Sequence, residues 1–112
     1  PAPAPAVMPP ALRGWAGLAD IGRLPDALAR RLSRFLDQSA RLSPRSRAAL
    51  AAELAAEVAA FVSPQPPAGT AAADYLSAVM AERRERSFRA LTRQREQSER
   101  VGRRLHRLPF EE

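Results

Sequence analysis

Proline placement constrains this chain more than any other feature. Eleven of its 112 residues are proline, yet none falls between Pro67 and Pro109. Proline lacks an amide donor and clashes with the preceding helical turn, so it is tolerated in a helix's first turn and excluded from its interior. Pro1–Pro10 (PAPAPAVMPP) therefore reads as an extended Pro/Ala linker. Pro25 opens a predicted first helix running to about Arg41. Ser43, as N-cap, and Pro44 open a second, which Ser63-Pro64-Gln65-Pro66-Pro67 closes. Thr70, as N-cap after Gly69, opens a third, with Asp74 placed to suit the helix dipole. That helix meets no breaker before Gly102.

Apolar spacing agrees with helices throughout. Leu28, Leu32, Phe35 and Leu42 share one face of the first helix, widened by Leu36. Leu50, Leu54, Val58 and Phe61 share one face of the second, with Val62 beside it. The stripe of the third is Ala72, Leu76, Val79 and Met80, then Ala90 and Leu91. The tight Leu42–Pro44 junction makes the first two helices an αα-hairpin. Upstream, Gly14, Gly17 and Gly22 limit residues 11–23 to a short helix. There Trp15 and Leu18 are expected to dock on the bundle, with Trp15 as an anchor for a partner the competing reading. The expected fold is all-α: an αα-hairpin plus a long third helix, a small three- to four-helix bundle. Residues 1–10 form the linker, 11–91 the bundle, and 92–112 an Arg-rich helical extension and tail. Its core is thin, because alanine fills 24 positions and only six residues are aromatic.

Chemistry is sparsely provided. With no cysteine and one histidine, the chain offers no disulfide scaffold, thiolate zinc site or thiol nucleophile, and little that titrates near neutral pH. Glu53 and Glu57 lie one turn apart, but a di-metal bundle needs Glu-x-x-His repeats and His106 lies outside any such motif. The expectation is a non-enzyme without cofactor or metal. No run has the ~18 uncharged apolar residues of a membrane span, and the start has no basic region leading into an apolar core. An opening at proline reads as a processed chain or a fragment.

Charge is the strongest remaining signal. All 18 basic residues are arginine, and the net charge is +6. Residues 81–108 hold ten Arg against four Glu, so the excess sits in one quarter of the chain. Glu82–Arg86, Glu85–Arg89, Glu96–Arg100 and Glu99–Arg103 have the favourable Glu-first spacing of helical ion pairs, each contributing a few tenths of a kcal/mol. Arg83, Arg84, Arg93, Arg95, Arg104 and Arg107 remain unmatched, and these are the candidates for an acidic protein, an anionic lipid headgroup or phosphate. The competing reading is a merely solvated face. The apolar stripe fades after Met80, where Arg83, Ser87, Gln94 and Ser98 fall on it, and returns with Val101, Leu105 and Leu108. The second half of this helix should project, bend near Gly102, or bury itself in something else. Val101, Leu105 and Leu108 are therefore the candidate face for a partner or for self-association into a homo-oligomer. Leu105, Leu108 and Phe110 beside Arg103, Arg104 and Arg107 form a basic amphipathic tail suited to a membrane surface, unless they fold back on the bundle. Nucleic acid is a weaker partner, since the segment has no aromatic interleaving beyond Phe88 and no Asn. Arg45 and Arg47 stand in the first turn of the second helix, where the dipole disfavours them, with Asp37 as a candidate counter-charge.

The ordered series Trp15, Leu24-Pro25-Asp26, Phe35-Leu36, Leu42-Ser43-Pro44, Ala51-Ala52-Glu53-Leu54-Ala55, Val62-Ser63-Pro64, Pro66-Pro67-x-Gly69-Thr70 and Tyr75-Leu76-x-Ala78-Val79-Met80-Ala81-Glu82-Arg83-Arg84 resembles a known region. It is similar to the soluble tail that follows the membrane part of some bacterial RDD-family membrane proteins, over about residues 9–90. The Arg and Asp residues that name that family lie in its membrane helices, so no functional residue carries over. The resemblance implies a cytoplasmic accessory or regulatory domain on the inner face of the bacterial inner membrane, loosely linked to transport. Such a domain binds a partner, itself or the membrane part of its own chain, and a basic tail suits the cytoplasmic side. The alternative from another class is a basic helical nucleic-acid-binding module.

Overall fold

A computed structural model describes residues 6–106, without the side chain of His106. The fold is all-α, and no strand occurs among the described residues. A 3-10 turn at Pro10–Leu12 leads into α1 (Arg13–Leu18), followed by α2 (Asp26–Gln38), α3 (Pro44–Ala59) and α4 (Ala72–His106).

Proline and short polar side chains set the ends. Pro25 caps α2 from outside, in extended conformation, so the helix begins at Asp26, one residue after the predicted start. It ends at Gln38 and tightens into a 3-10 turn, Ser39–Arg41. Ser43 caps α3 as predicted, its hydroxyl accepting from the Ser46 amide at 3.2 Å, with Pro44 following at the first helical position. Gln65 closes the other end of α3, donating to the carbonyls of Ala59 (3.2 Å) and Val62 (2.9 Å). Thr70 does not cap α4. Its hydroxyl donates to the Pro67 carbonyl at 2.6 Å, within a turn where Gly69 takes φ +85°, and the helix starts two residues later.

The core gathers Ile21, Leu24, Leu28, Leu32, Phe35, Ala51, Leu54, Val58, Val62, Tyr75, Leu76 and Val79. Leu32, Leu76, Val58 and Val79 are the largest fully buried side chains, each worth about 1.5–3 kcal/mol of burial. α4 packs chiefly on α3 and more lightly on α1 and α2, and α2 and α3 meet each other more lightly still. The hairpin helices are thus joined largely through the long helix.

Three burial expectations need correction. Leu50 is exposed and Ala51 takes its place inward, because the buried face of α3 is Ala51, Leu54 and Val58. Leu18, expected to dock, is 87% exposed at the open end of α1. The inward face of α4 is also turned from the predicted stripe: Tyr75, Ala78 and Glu82 are buried with Leu76 and Val79, while Met80 and Arg83 lie at its edge. Docking of α1 on that side draws it in.

Trp15 does dock. Its ring lies 5.7 Å from that of Tyr75 at 48°, and Nε1 donates to the Pro64 carbonyl at 3.0 Å. Next to it, Asp20 and Ser63 exchange main-chain hydrogen bonds of 2.7 and 3.2 Å. These contacts tie the α1–α2 loop to the proline-rich α3–α4 loop.

Candidate functional site

α4 contains 35 residues, about 52 Å of helix, in a molecule measuring 71 × 34 × 25 Å. Only its first part reaches the body. From Ser87 to Leu105 every described side chain is exposed except at Gly102, which is partly covered. The helix continues without interruption through Gly102 to His106, and this half projects from the body. Leu105 does not fold back, being 55% exposed, and Val101 is 57% exposed. Leu108, Phe110 and Arg107 lie outside the described residues.

The unmatched arginines divide. Arg83 is matched after all: its Nη2 lies 2.9 Å from Asp26 at the start of α2, a partner 57 positions away that spacing along one helix does not reveal. Arg84 reaches the Ala6 carbonyl at 3.5 Å. Arg93, Arg95 and Arg104 are exposed and make no hydrogen bond or ion pair with any described residue. Of the four spaced Glu–Arg pairs, Glu82–Arg86 closes at 2.8 Å and Glu85–Arg89 at 3.4 Å. Glu96–Arg100 and Glu99–Arg103, on the projecting half, do not close.

Other charged groups act within the fold. Arg86 grips Glu82 through Nε and sends Nη2 to the carbonyls of Ala16 (3.0 Å) and Ala19 (2.7 Å), capping the end of α1. Arg47, whose position looked unfavourable, donates to the Ser39 (2.8 Å) and Leu42 (3.0 Å) carbonyls at the end of α2; Asp37 is not its partner. A cation at a helix C-terminus is favourable, which offsets its place in the first turn of α3. Arg31 holds Glu57 through two 2.8 Å bonds across α2 and α3. Those hydrogen bonds, with the charge attraction, lower the Glu57 carboxyl below its usual range and raise Arg31. Burial pushes the Tyr75 phenol up, and its hydroxyl has no hydrogen-bond partner among the described residues.

No group of His, Asp and Glu among the described residues is arranged to hold a metal, and no described helix is long and apolar enough to cross a membrane. The clefts are open and shallow. One of about 310 Å³ lies between the Ile21–Asp26 segment and α4, with the already engaged Arg83 and Arg86 in its wall.

The candidate functional surface is the projecting part of α4. Ser87, Leu91, Gln94, Ser98, Val101 and Leu105 recur every three or four residues and share one uncharged face. The six arginines and two glutamates between Arg89 and Arg104 lie off that face, giving this stretch a net +4. A scan against protein-family models finds no match, and searches of curated proteins and of solved structures return no similar chain.

Proposed function

We propose that this chain is a non-catalytic accessory or interaction domain in which a small bundle anchors a projecting basic helix that docks on an acidic surface. One observation carries the reading: α4 continues for about five turns beyond its last packed residues, with Arg93, Arg95 and Arg104 unpaired and Leu91, Val101 and Leu105 uncovered among the described residues. A helix of this length gains little stability alone without packing, and it presents charge and apolar surface together. Resemblance of residues 9–90 to the soluble tail of RDD-family membrane proteins supports a setting on the cytoplasmic side of a bacterial membrane. In that setting the helix biases a partner or the membrane part of its own chain.

Binding of the chain to immobilised polyglutamate, to phosphatidylglycerol vesicles and to random duplex DNA, followed over rising salt, tests this. Capture by polyglutamate or the vesicles, lost by about 0.5 M salt, is the expected result. Retention by DNA alone at physiological salt establishes the nucleic-acid alternative instead. Failure to bind any of the three overturns the docking reading.

A further inference from the structure

We infer that the partner of the projecting half of α4 is an acidic amphipathic α-helix, laid along the Leu91–Leu105 face as the second strand of a short coiled coil. This rests on the docking reading above and narrows it.

The spacing is that of a coiled-coil seam. Leu91, Gln94, Ser98, Val101 and Leu105 alternate steps of three and four residues, over about 21 Å of axis. Leucine and valine supply knobs at both ends of the seam. Gln94 and Ser98 place hydrogen-bonding groups at its middle, where polar residues select register and partner at a cost in stability.

Charge selects the occupant. The positions bordering this seam are Phe88, Ala90, Arg95, Gln97, Gly102 and Arg104, and none is acidic. A second copy would therefore offer Arg95 and Arg104 no counter-charge and would bring two +4 segments together. An acidic helix supplies carboxylates at those two places, where bordering charges set partner choice. A lipid surface fits less well, since Gln94, Gln97 and Ser98 interrupt the apolar face that insertion requires. Duplex DNA would leave the uncharged face unused.

The test uses the whole chain and a synthetic three-heptad helix with leucine at its seam positions, one glutamine opposite Gln94, and glutamate at the bordering positions. A second peptide carries lysine for each glutamate. The glutamate peptide should bind one-to-one and the lysine peptide should not. Leu91→Asp with Val101→Asp should abolish binding. Arg95→Glu with Arg104→Glu should weaken the glutamate peptide by about tenfold and give the lysine peptide measurable affinity, a gain that misfolding does not produce. These positions lie off the body, so the thermal midpoint should stay unchanged in each variant. Binding that survives Leu91→Asp with Val101→Asp would reduce the contact to bulk polycation attraction and overturn the inference. So would a chain that sediments as a dimer without peptide and becomes monomeric in that variant, because the occupant is then a second copy. Capture by polyglutamate or vesicles without peptide binding sinks the coiled-coil inference alone; silence from all of them sinks the docking reading as well.

Discussion

The Glu82 carboxylate lies 2.8 Å from Arg86 Nε, one turn along α4, and is almost wholly buried beneath the end of α1. Arg86 also meets the Ala16 and Ala19 carbonyls, so one guanidinium satisfies a buried acid and caps a helix that has no other side-chain cap. Arg86→Ala should cost about 2–4 kcal/mol in denaturant unfolding, because it strands Glu82. Arg86→Lys should recover only part of this, since an ammonium does not reproduce the fork. In the background of Glu82→Gln the cost of Arg86→Ala should shrink, a coupling that a double-mutant cycle measures.

Tyr75→Phe should stabilise the protein by about 1 kcal/mol, because the buried hydroxyl has no partner while the ring keeps its contact with Trp15. Burial holds the phenol above its usual 10.0. The neutral form is thus favoured in the fold, and its contribution is intact below that value and lost as pH rises through the higher folded one. Alkaline unfolding should begin at higher pH in Tyr75→Phe; an unchanged alkaline limb would contradict this.

Glu57 gives the opposite limb. Its carboxyl is lowered from 4.5, first by hydrogen bonds from Arg31. The folded state therefore favours the ionised form, so its contribution is present above 4.5 and is lost as pH falls through the lower folded value. The stability difference between wild type and Glu57→Gln should be constant near neutrality and vanish in acid. Both partners are half exposed, so the difference should be small and should shrink with salt.

Much of this fold is legible in local signals. The Ser43 cap and the Pro44 start each depend on neighbours within a few residues, and both appear in the structure, whereas α3 ends at Ala59, earlier than the proline-rich stop expected after Val62. What escapes is set by contacts between distant segments. Arg83 finds Asp26, Arg31 finds Glu57 and Arg86 finds the end of α1, none of them foreseeable from spacing along one helix. Hydropathy places Glu82 on the surface; only docking of α1 over it turns the packed face of α4 toward Tyr75 and Ala78. Leu50 yields to Ala51 for a similar reason, since a shift of one residue turns a helix by about 100°. The charge-rich half of α4 is legible because none of the described residues covers it.

Truncation after Leu91 should leave the thermal midpoint and denaturant midpoint essentially unchanged, within about 0.5 kcal/mol. Of the residues removed, 92–105 are exposed on the projecting helix apart from the partly covered Gly102. A loss of several kcal/mol would mean that the projecting helix supports the fold rather than serving a partner.

Amide hydrogen exchange of the whole chain, alone and with the glutamate peptide at saturation, addresses the central claim most directly. Alone, amides of residues 91–105 should exchange faster than those of residues 75–83, where α4 is packed. With the peptide, protection should rise across 91–105 and stay constant in α2 and α3. Unchanged exchange across 91–105 at saturating peptide, or protection rising only on the bundle, would contradict a docking role for the projecting helix.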